Sequence, residues 1–182
     1  KLGGTLRTLF AAANKDIVVY SDIDLPFDLS EVERAIRLMQ YLEADLIHAF
    51  RFDRTSEGLR RIVYSLGYNL LIRALFGVRV KDINFSFKVV RRRVLAAVEL
   101  KSSGSLIDAE LVVKVIRRGY RVAQIGVDYF PRTRGVSTLS SPAVINKIVR
   151  ELFTLYPEMR SPARVVNPAP APTLSEPAGA LP

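Results

Sequence analysis

The sequence contains no cysteine and a single histidine, His48, among its 182 residues. A chain without thiols forms neither disulfides nor thiolate metal sites, and it has no cysteine nucleophile. One histidine also leaves almost no material for a histidine-built zinc site or a serine–histidine triad. Any metal that this chain binds must therefore be held by oxygen ligands, which favours Mg²⁺ or Mn²⁺.

Acidic residues are few and long apolar runs are missing. The chain has 18 acidic residues against 27 lysines and arginines, a formal charge of +9. This excess predicts an anionic partner, which can be nucleic acid, an acidic membrane surface or a phosphorylated small molecule. No apolar run reaches the roughly 18 residues needed to cross a bilayer, and no signal peptide is visible. The chain opens Lys-Leu-Gly-Gly without an initiator Met, so we expect a fragment that starts inside a domain.

Short apolar runs alternate with helical patterns along the chain. Strands are predicted at 17–20, 45–50, 84–90 and 120–127, and helices at 31–43, 57–76, 91–100, 108–118 and 141–156. A capping box, Ser30-x-x-Glu33, precedes the first of these helices. The alternation predicts an α/β domain over residues 1–160 with a mostly parallel sheet and flanking helices. Proline and alanine dominate residues 161–182, which we expect to be a disordered tail.

The sharpest local feature is Asp22-Ile23-Asp24, directly after the first predicted strand. In extended backbone, alternate side chains share a face, so both carboxylates would point the same way. Two such oxygen ligands can hold a hard divalent cation and leave room for phosphate and water. The alternative is a pair of solvated loop acids. Asp28, a little further on, is expected to cap the following helix.

Two further clusters could carry chemistry. Asp108 and Glu110 stand at a predicted helix start, where they either compensate the helix dipole or provide a carboxylate that acts as base or orients an acceptor. Arg132, Arg134 and Ser137 flank Gly135 in a loop, an arrangement that suits phosphate oxygens unless these side chains are simply solvated. A basic run at Lys88, Arg91, Arg92 and Arg93 is expected to be a solvated helix start.

The order of the motifs is similar to that of family 2 glycosyltransferases, particularly those like dolichyl- or polyprenyl-phosphate mannose synthase. The matching segments are Lys1–Thr8 (a glycine-rich "GKGxALRxG"), Asp16–Asp24 ("GDxVxxxDAD"), Asp82–Lys88 ("DxxxGFK"), Leu106–Glu110 ("FDxE") and Val127–Ser137 ("PVxxxxRxxGxS"). The resemblance covers about residues 1–155 and implies a partial GT-A fold, because the family's first βα units would precede Lys1.

The resemblance also implies an activity and a site. It implies inverting transfer of a sugar from a nucleotide-sugar, such as GDP-mannose or a UDP-sugar, to a polyprenyl phosphate. Asp22 and Asp24 would hold Mg²⁺ or Mn²⁺, and Asp108 and Glu110 would be the catalytic carboxylates. Phosphate or donor binding would fall to a basic set with one hydroxyl: Lys1, Arg132, Arg134 and Ser137. The implied location is the cytoplasmic, inner face of a membrane, with an anionic bilayer surface and no nucleic acid as partner.

The sequence departs from the family pattern, and other functions stay open. Ser86 stands where the family has Gly, Pro26 where some relatives have a metal-contacting residue, and His48–Arg51 replaces a more usual Gly-x-Arg. The absence of tryptophan argues against the family's processive synthases. The alternatives are transfer to a sugar hydroxyl with Asp108 as base, a nucleotidyltransferase, or a catalytically inactive interaction module.

Overall fold

The computed structural model describes residues 2–53, 58–130 and 142–161. In chain order the elements are α1 (Leu2–Ala12), β1 (Ile17–Tyr20), α2 (Ser30–Tyr41), β2 (Leu46–Arg51), α3 (Leu59–Phe76), β3 (Lys88–Arg91), α4 (Arg92–Ala97), α5 (Ile107–Arg117), β4 (Val122–Val127) and α6 (Pro142–Arg160). The predicted strands and helices are therefore present, and the 57–76 pattern forms one unbroken helix. The third strand is shorter than predicted. Of the predicted tail, 161–182, all but residue 161 lies outside the described residues.

The four strands form one sheet in the order β1-β3-β2-β4. Strand β3 is antiparallel to both of its neighbours, and of the described pairings only β2–β4 is parallel. The α/β class is thus confirmed, but the expected mostly parallel sheet is wrong. The reason lies in the segment after α3, which runs back along that helix: the Ile83 N–H donates to the Asn69 side chain at 3.0 Å. Strand β3 consequently enters the sheet from the opposite end.

Helices cover both faces of the sheet. Helix α2 packs Ala35 and Met39 against one face, where Ile47 and Val89 lie in the same core cluster. Helix α5 covers the other face and is apolar over most of its length. Helices α3 and α6 pack against α5 in a third cluster away from the sheet. These two outer helices form the walls of the site described below.

Local chemistry sets the ends of the helices. At the start of α2, the Ser30 N–H donates to the Asp28 carboxylate at 2.8 Å, so Asp28 caps the helix as predicted. The capping box of Ser30 is wrong, since no side chain of that box caps the helix and Glu33 pairs with Arg37 one turn later. Gly119 ends α5 with φ 80°, a left-handed conformation that favours glycine.

Helix α1 was not anticipated, because glycines 3 and 4 weaken its helical signal. Its start is fixed by tertiary contacts. The Gly3 N–H donates to the Ser103 carbonyl at 3.1 Å, and a Cβ at Gly3 would lie 2.2 Å from the Ser102 carbonyl oxygen. Arg7 donates to the carbonyls of Leu100 and Lys101 at 3.3 and 2.9 Å. Glycine at this position thus allows α1 to dock on the loop before α5.

Candidate active site

A cavity of ≈ 450 Å³ opens where β1 and β2 end. The loop after β1, the end of β2 and the segment before β3 contribute polar side chains, among them Asp22, Asp24, Arg51, Asn84 and Ser86. Helices α3 and α6 contribute a mainly apolar wall that includes Val63, Leu71, Ile145, Ile148 and Val149. The cavity therefore offers charged groups and an apolar surface to the same ligand.

The loop that carries Asp22 and Asp24, residues 22–27, is called the acidic loop here. It is a tight turn and not the extended strand that the sequence suggested: the Leu25 N–H donates to the Asp22 carbonyl at 3.1 Å. Leu25 has φ 41°, a left-handed conformation that is costly for a residue with a branched side chain. Ile23 points into solvent and is fully exposed. Both carboxylates nevertheless line the same cavity.

The segment before β3 holds the acidic loop at two points. At its start, the Asp22 N–H donates to the Ser86 hydroxyl at 3.2 Å. At its end, Phe27 stacks on Phe87 with ring centroids 4.0 Å apart and meets Phe85 edge-on. Ser86, which replaces the family's glycine, therefore contacts the acidic loop. The motif comparison gave no indication of this contact.

Asp108 lies beneath the acidic loop in a buried ion pair. The Lys88 ammonium, whose side chain is fully buried, donates to the Asp108 carboxylate and to the Phe85 carbonyl. The Tyr20 hydroxyl also bonds this carboxylate, and the Lys88 ammonium lies over the Tyr20 ring. Burial raises the pKa of the Asp108 carboxyl, although Lys88 acts in the opposite direction. Asp108 is not among the residues that line the cavity.

Glu110 projects elsewhere although it is two residues from Asp108. Its carboxylate accepts the backbone N–H groups of Lys101 and Ser102, both at 2.8 Å. It also pairs with Lys114 at 2.7 Å. Glu110 is completely buried and orders the loop before α5. The structure therefore separates the two predicted catalytic carboxylates into different environments.

Arg51 is a cavity residue that the motif comparison did not single out. Its guanidinium forms a two-bond ion pair with Asp82, at 2.6 and 2.8 Å. The same group lies over the rings of Phe85 and Tyr129, 5.4 and 5.1 Å from their centroids. The signal in the sequence was its place at the end of β2, where sheets of this class bind ligands. A preorganised guanidinium is well suited to phosphate oxygens.

Several predicted site residues lie outside the described part of the chain: Lys1, Arg132, Arg134 and Ser137. The chain immediately before residue 131 does reach the site. The Phe130 N–H donates to the Pro26 carbonyl at 2.8 Å, and Tyr129 lines the cavity.

The second basic cluster is a solvated helix start only in part, at Arg92 and Arg93, which begin α4 and are exposed. Arg91 and Arg92 donate to the carbonyls of Ala44 and Ala13 at 3.0 and 3.1 Å. Arg93 pairs with Asp45 at 2.7 Å, and Lys88 is in the buried pair described above. Lys88 is buried and Arg91 half-buried, whereas Arg92 and Arg93 at the start of α4 are exposed although each bonds a neighbouring segment.

His48 is buried in the sheet and its Nε2 lies 2.9 Å from the Lys81 carbonyl, an arrangement in which Nε2 carries the proton. Burial lowers the pKa of His48 to about 3, and the charge of Lys88 acts in the same direction. The only histidine of the chain is therefore neutral and lies away from the cavity lining.

The ligands available for a metal are two carboxylates. Over the described ranges no group of three or more histidine, cysteine or acidic side chains could hold an ion. Asp22 and Asp24 share one cavity with open space beside them. Mg²⁺ is commonly bound by one or two carboxylates, with substrate phosphates and water completing its shell. The residues present thus fit a divalent cation that arrives with a diphosphate.

No helix in the described residues combines the length and apolarity needed to span a bilayer.

No model of a known protein family matches the chain, but individual proteins do. The chain is 32% identical over 135 residues to glycosyltransferase AglD of Haloferax volcanii, covering 71% of this chain and 22% of that protein. It is 32% identical over 84 residues to polyprenol monophosphomannose synthase of Mycolicibacterium smegmatis, covering 44% and 32%. The chain thus spans about a fifth to a third of these relatives.

Solved structures show the same fold. Glucosyl-3-phosphoglycerate synthase of Mycobacterium tuberculosis, in complex with phosphoglyceric acid, superposes with a TM-score of 0.65 and 19% identity over 84% of this chain and 53% of that one. The same enzyme with Mn²⁺, UDP-glucose and phosphoglyceric acid gives a TM-score of 0.65 at 17% identity, over 85% and 54%. The likeness confirms the fold expected from the motif order.

Proposed function

The chain belongs to the family 2 glycosyltransferases of the GT-A fold, and from this premise we propose inverting sugar transfer from a nucleotide-sugar to a polyprenyl phosphate. The observation that supports the proposal is the composition of the cavity. Two carboxylates and two arginines share it with the apolar wall of α3 and α6. A polyprenyl phosphate carries an anionic head on an apolar chain and matches both surfaces.

Asp22 and Asp24 are the donor side of this proposal. They would hold Mg²⁺ or Mn²⁺ against the diphosphate of a donor such as GDP-mannose or a UDP-sugar. A bound divalent ion neutralises the charge that develops on the leaving nucleoside diphosphate. The contacts of Ser86 and Phe27 keep the two carboxylates on the cavity side of the acidic loop.

The acceptor side consists of cations and apolar groups. Arg51 and Arg61 line the cavity, and we assign binding of the acceptor phosphate to these together with Arg132, Arg134 and Ser137. Lys1 is assigned to the donor phosphates. Guanidinium forks bind phosphate oxygens with two charge-assisted hydrogen bonds, roughly twice as strong as neutral ones. The prenyl chain would lie along Leu71 and α6.

Asp108 and Glu110 act as positioning residues in this proposal. A phosphate acceptor is already ionised near neutral pH, so it needs little help from a general base. Asp108 is occupied by Lys88 and Tyr20, and Glu110 is occupied by backbone amides and Lys114. Asp108 would support the strand end that carries the acidic loop, and Glu110 the loop before α5.

The acceptor class can be tested in the full-length protein with labelled nucleotide-sugars. We expect a labelled prenyl-phosphate sugar, and in Arg132→Ala and Arg134→Ala a KM for polyprenyl phosphate raised about tenfold or more, with a smaller change in donor affinity. Arg37→Ala, which changes an exposed cation on α2, is the control.

Three other results have different meanings. Loss of donor affinity alone would assign the two arginines to the nucleotide diphosphate. Transfer only to a sugar hydroxyl would favour the alternative acceptor and return Asp108 to the role of base. A full-length protein that binds neither donor nor metal would be an inactive interaction module.

We further propose that α3 lies on the anionic, cytoplasmic face of a membrane. Four exposed apolar residues repeat at helical spacing, Leu59, Val63, Leu66 and Leu70, with exposures of 77, 56, 59 and 67%. They are called the α3 stripe here. Arg61 and Arg73 are on the same helix, and each cation near an anionic surface contributes about 1 kcal/mol. An apolar stripe with flanking cations is typical of helices at the bilayer interface.

Vesicle sedimentation of the full-length protein tests this surface. We expect salt-sensitive binding to vesicles with anionic lipids. The double substitution Leu66→Ser, Leu70→Ser should weaken it severalfold, because two exposed apolar side chains that would leave water on binding are replaced by polar ones. Tyr41→Ser, which removes an exposed aromatic residue on α2, is the matched control. Equal binding by the stripe variant and the wild type would exclude α3 as the contact.

A further inference from the structure

Gly67 lies in the middle of α3, where glycine is less favourable than alanine. No packing constraint among the described residues accounts for it. A Cβ built at Gly67 meets no atom of a neighbouring element within 4 Å. The helix would therefore accept a side chain here, and a larger residue would fill open space. That space belongs to the cavity, since Gly67 is one of its lining residues.

The neighbours of Gly67 on the helix surface are the residues three and four positions away. On one side these are Val63 and Leu70, which belong to the α3 stripe, and Val63 also lines the cavity. On the other side are Tyr64 and Leu71, which line the cavity. Gly67 thus lies where the exposed apolar surface of α3 meets the cavity wall. Because it has no side chain, it leaves open space at this junction, and that space is called the notch here.

We propose that this notch admits the isoprenoid chain of the acceptor, which passes over Gly67 from the α3 stripe into the cavity. The inference rests on the proposed prenyl-phosphate acceptor and names the residue that determines which acceptor chains fit. The surroundings favour a hydrocarbon over a donor group. Val63, Leu70 and Leu71 present apolar surface, whereas the carboxylates that would serve the donor are on the acidic loop.

The test compares two acceptors in the full-length protein: a long polyprenyl phosphate in mixed micelles, and geranyl phosphate, whose two isoprene units would end before the notch under this proposal. Gly67→Leu fills the notch and is expected to raise KM for the long acceptor about tenfold or more, since a blocked passage excludes the chain. KM for geranyl phosphate and for the donor should change less than twofold. Gly67→Ala should show the same selectivity with a smaller effect.

Stability measurements separate the notch from a folding defect. Gly67→Ala is expected to raise Tm by about 2–4 °C, because alanine favours the helix and meets no neighbour. Gly4→Ala is the matched control. Gly4 is also helical, its Cβ would also meet nothing within 4 Å, and α1 does not line the cavity. This variant should keep the wild-type preference for acceptor length.

Each remaining outcome rejects the inference in a recognisable way. Equal loss with both acceptors, or loss of donor affinity in Gly67→Ala, would assign the glycine to the donor or to the helix itself. Unchanged kinetics in Gly67→Leu with a folded protein would show that no chain crosses this point. Absence of transfer to either prenyl phosphate by the wild type would reject the proposed acceptor, and the notch with it.

Discussion

Replacing Asp24 by Ala in the full-length protein is expected to lower sugar transfer by about two to three orders of magnitude. The physical reason is loss of one of the two carboxylates that line the cavity. A divalent ion contributes several kcal/mol of charge stabilisation to a leaving diphosphate, and each 1.36 kcal/mol corresponds to a factor of ten. Asp22→Ala should behave in the same way. Affinity for Mn²⁺ in the presence of nucleoside diphosphate, measured by electron paramagnetic resonance, should fall in parallel.

Asp28, which lies shortly after Asp24 in the chain, provides a matched control. Asp28→Asn removes a carboxylate of the same region but keeps the side-chain oxygen that caps α2. This variant should retain wild-type metal affinity and turnover. Turnover near the wild-type level by Asp24→Ala at saturating Mn²⁺ would show that the acidic loop does not bind the metal.

The second large effect concerns stability. Lys88→Met leaves the Asp108 carboxylate buried without its cation and is expected to lower the free energy of unfolding by about 3–5 kcal/mol. Both side chains are almost completely removed from solvent, so water cannot replace the lost partner. Urea denaturation at neutral pH measures the change. The double variant Lys88→Met, Asp108→Leu should recover most of the loss, because two apolar side chains then face each other.

An exposed ion pair gives the comparison. Arg37 pairs with Glu33 on the surface of α2, with exposures of 76 and 69%. Arg37→Met should change the free energy of unfolding by no more than about 1 kcal/mol. If Lys88→Met costs no more than Arg37→Met, then Asp108 is not held by a buried pair. Failure of the double variant to recover would instead indicate that Lys88 acts mainly through the Phe85 carbonyl.

The sequence predicted the elements of the fold better than their arrangement. Apolar periodicity identified β1, β2, α2 and α5, because burial on one face determines that periodicity. It could not orient β3, since the strand's direction depends on the path of the chain after α3 and not on its own residues. Helix α1 was not predicted for a related reason. The contacts of Gly3 and Arg7 with the loop before α5 are long-range and leave no local signal.

The site was predicted unevenly for similar physical reasons. Asp22 and Asp24 drew attention because strand ends and paired carboxylates are local patterns, and both side chains line the cavity. The argument from extended backbone was wrong, since the loop turns at Leu25. The sequence could not show the different surroundings of Asp108 and Glu110. Residues two positions apart on a helix point to different sides, and the neighbours on each side are set by the tertiary structure. Arg51 and Ser86 gain their roles only from residues far away in the chain.

The position of β3 has a consequence for the order of folding. Among the described strands, β1 pairs only with β3. Ile17 pairs with Arg91, so most of the first half of the chain lies in the loop between the two paired residues. Closing such a long loop costs chain entropy before any contact compensates for it. Strand β2 also pairs with β3 on one side, so β3 joins β1 to the rest of the sheet. Because Ser86 and Phe87 arrive with β3, the acidic loop acquires its anchors in that same late step. Chains that have not yet docked this strand therefore lack both a continuous sheet and an anchored acidic loop.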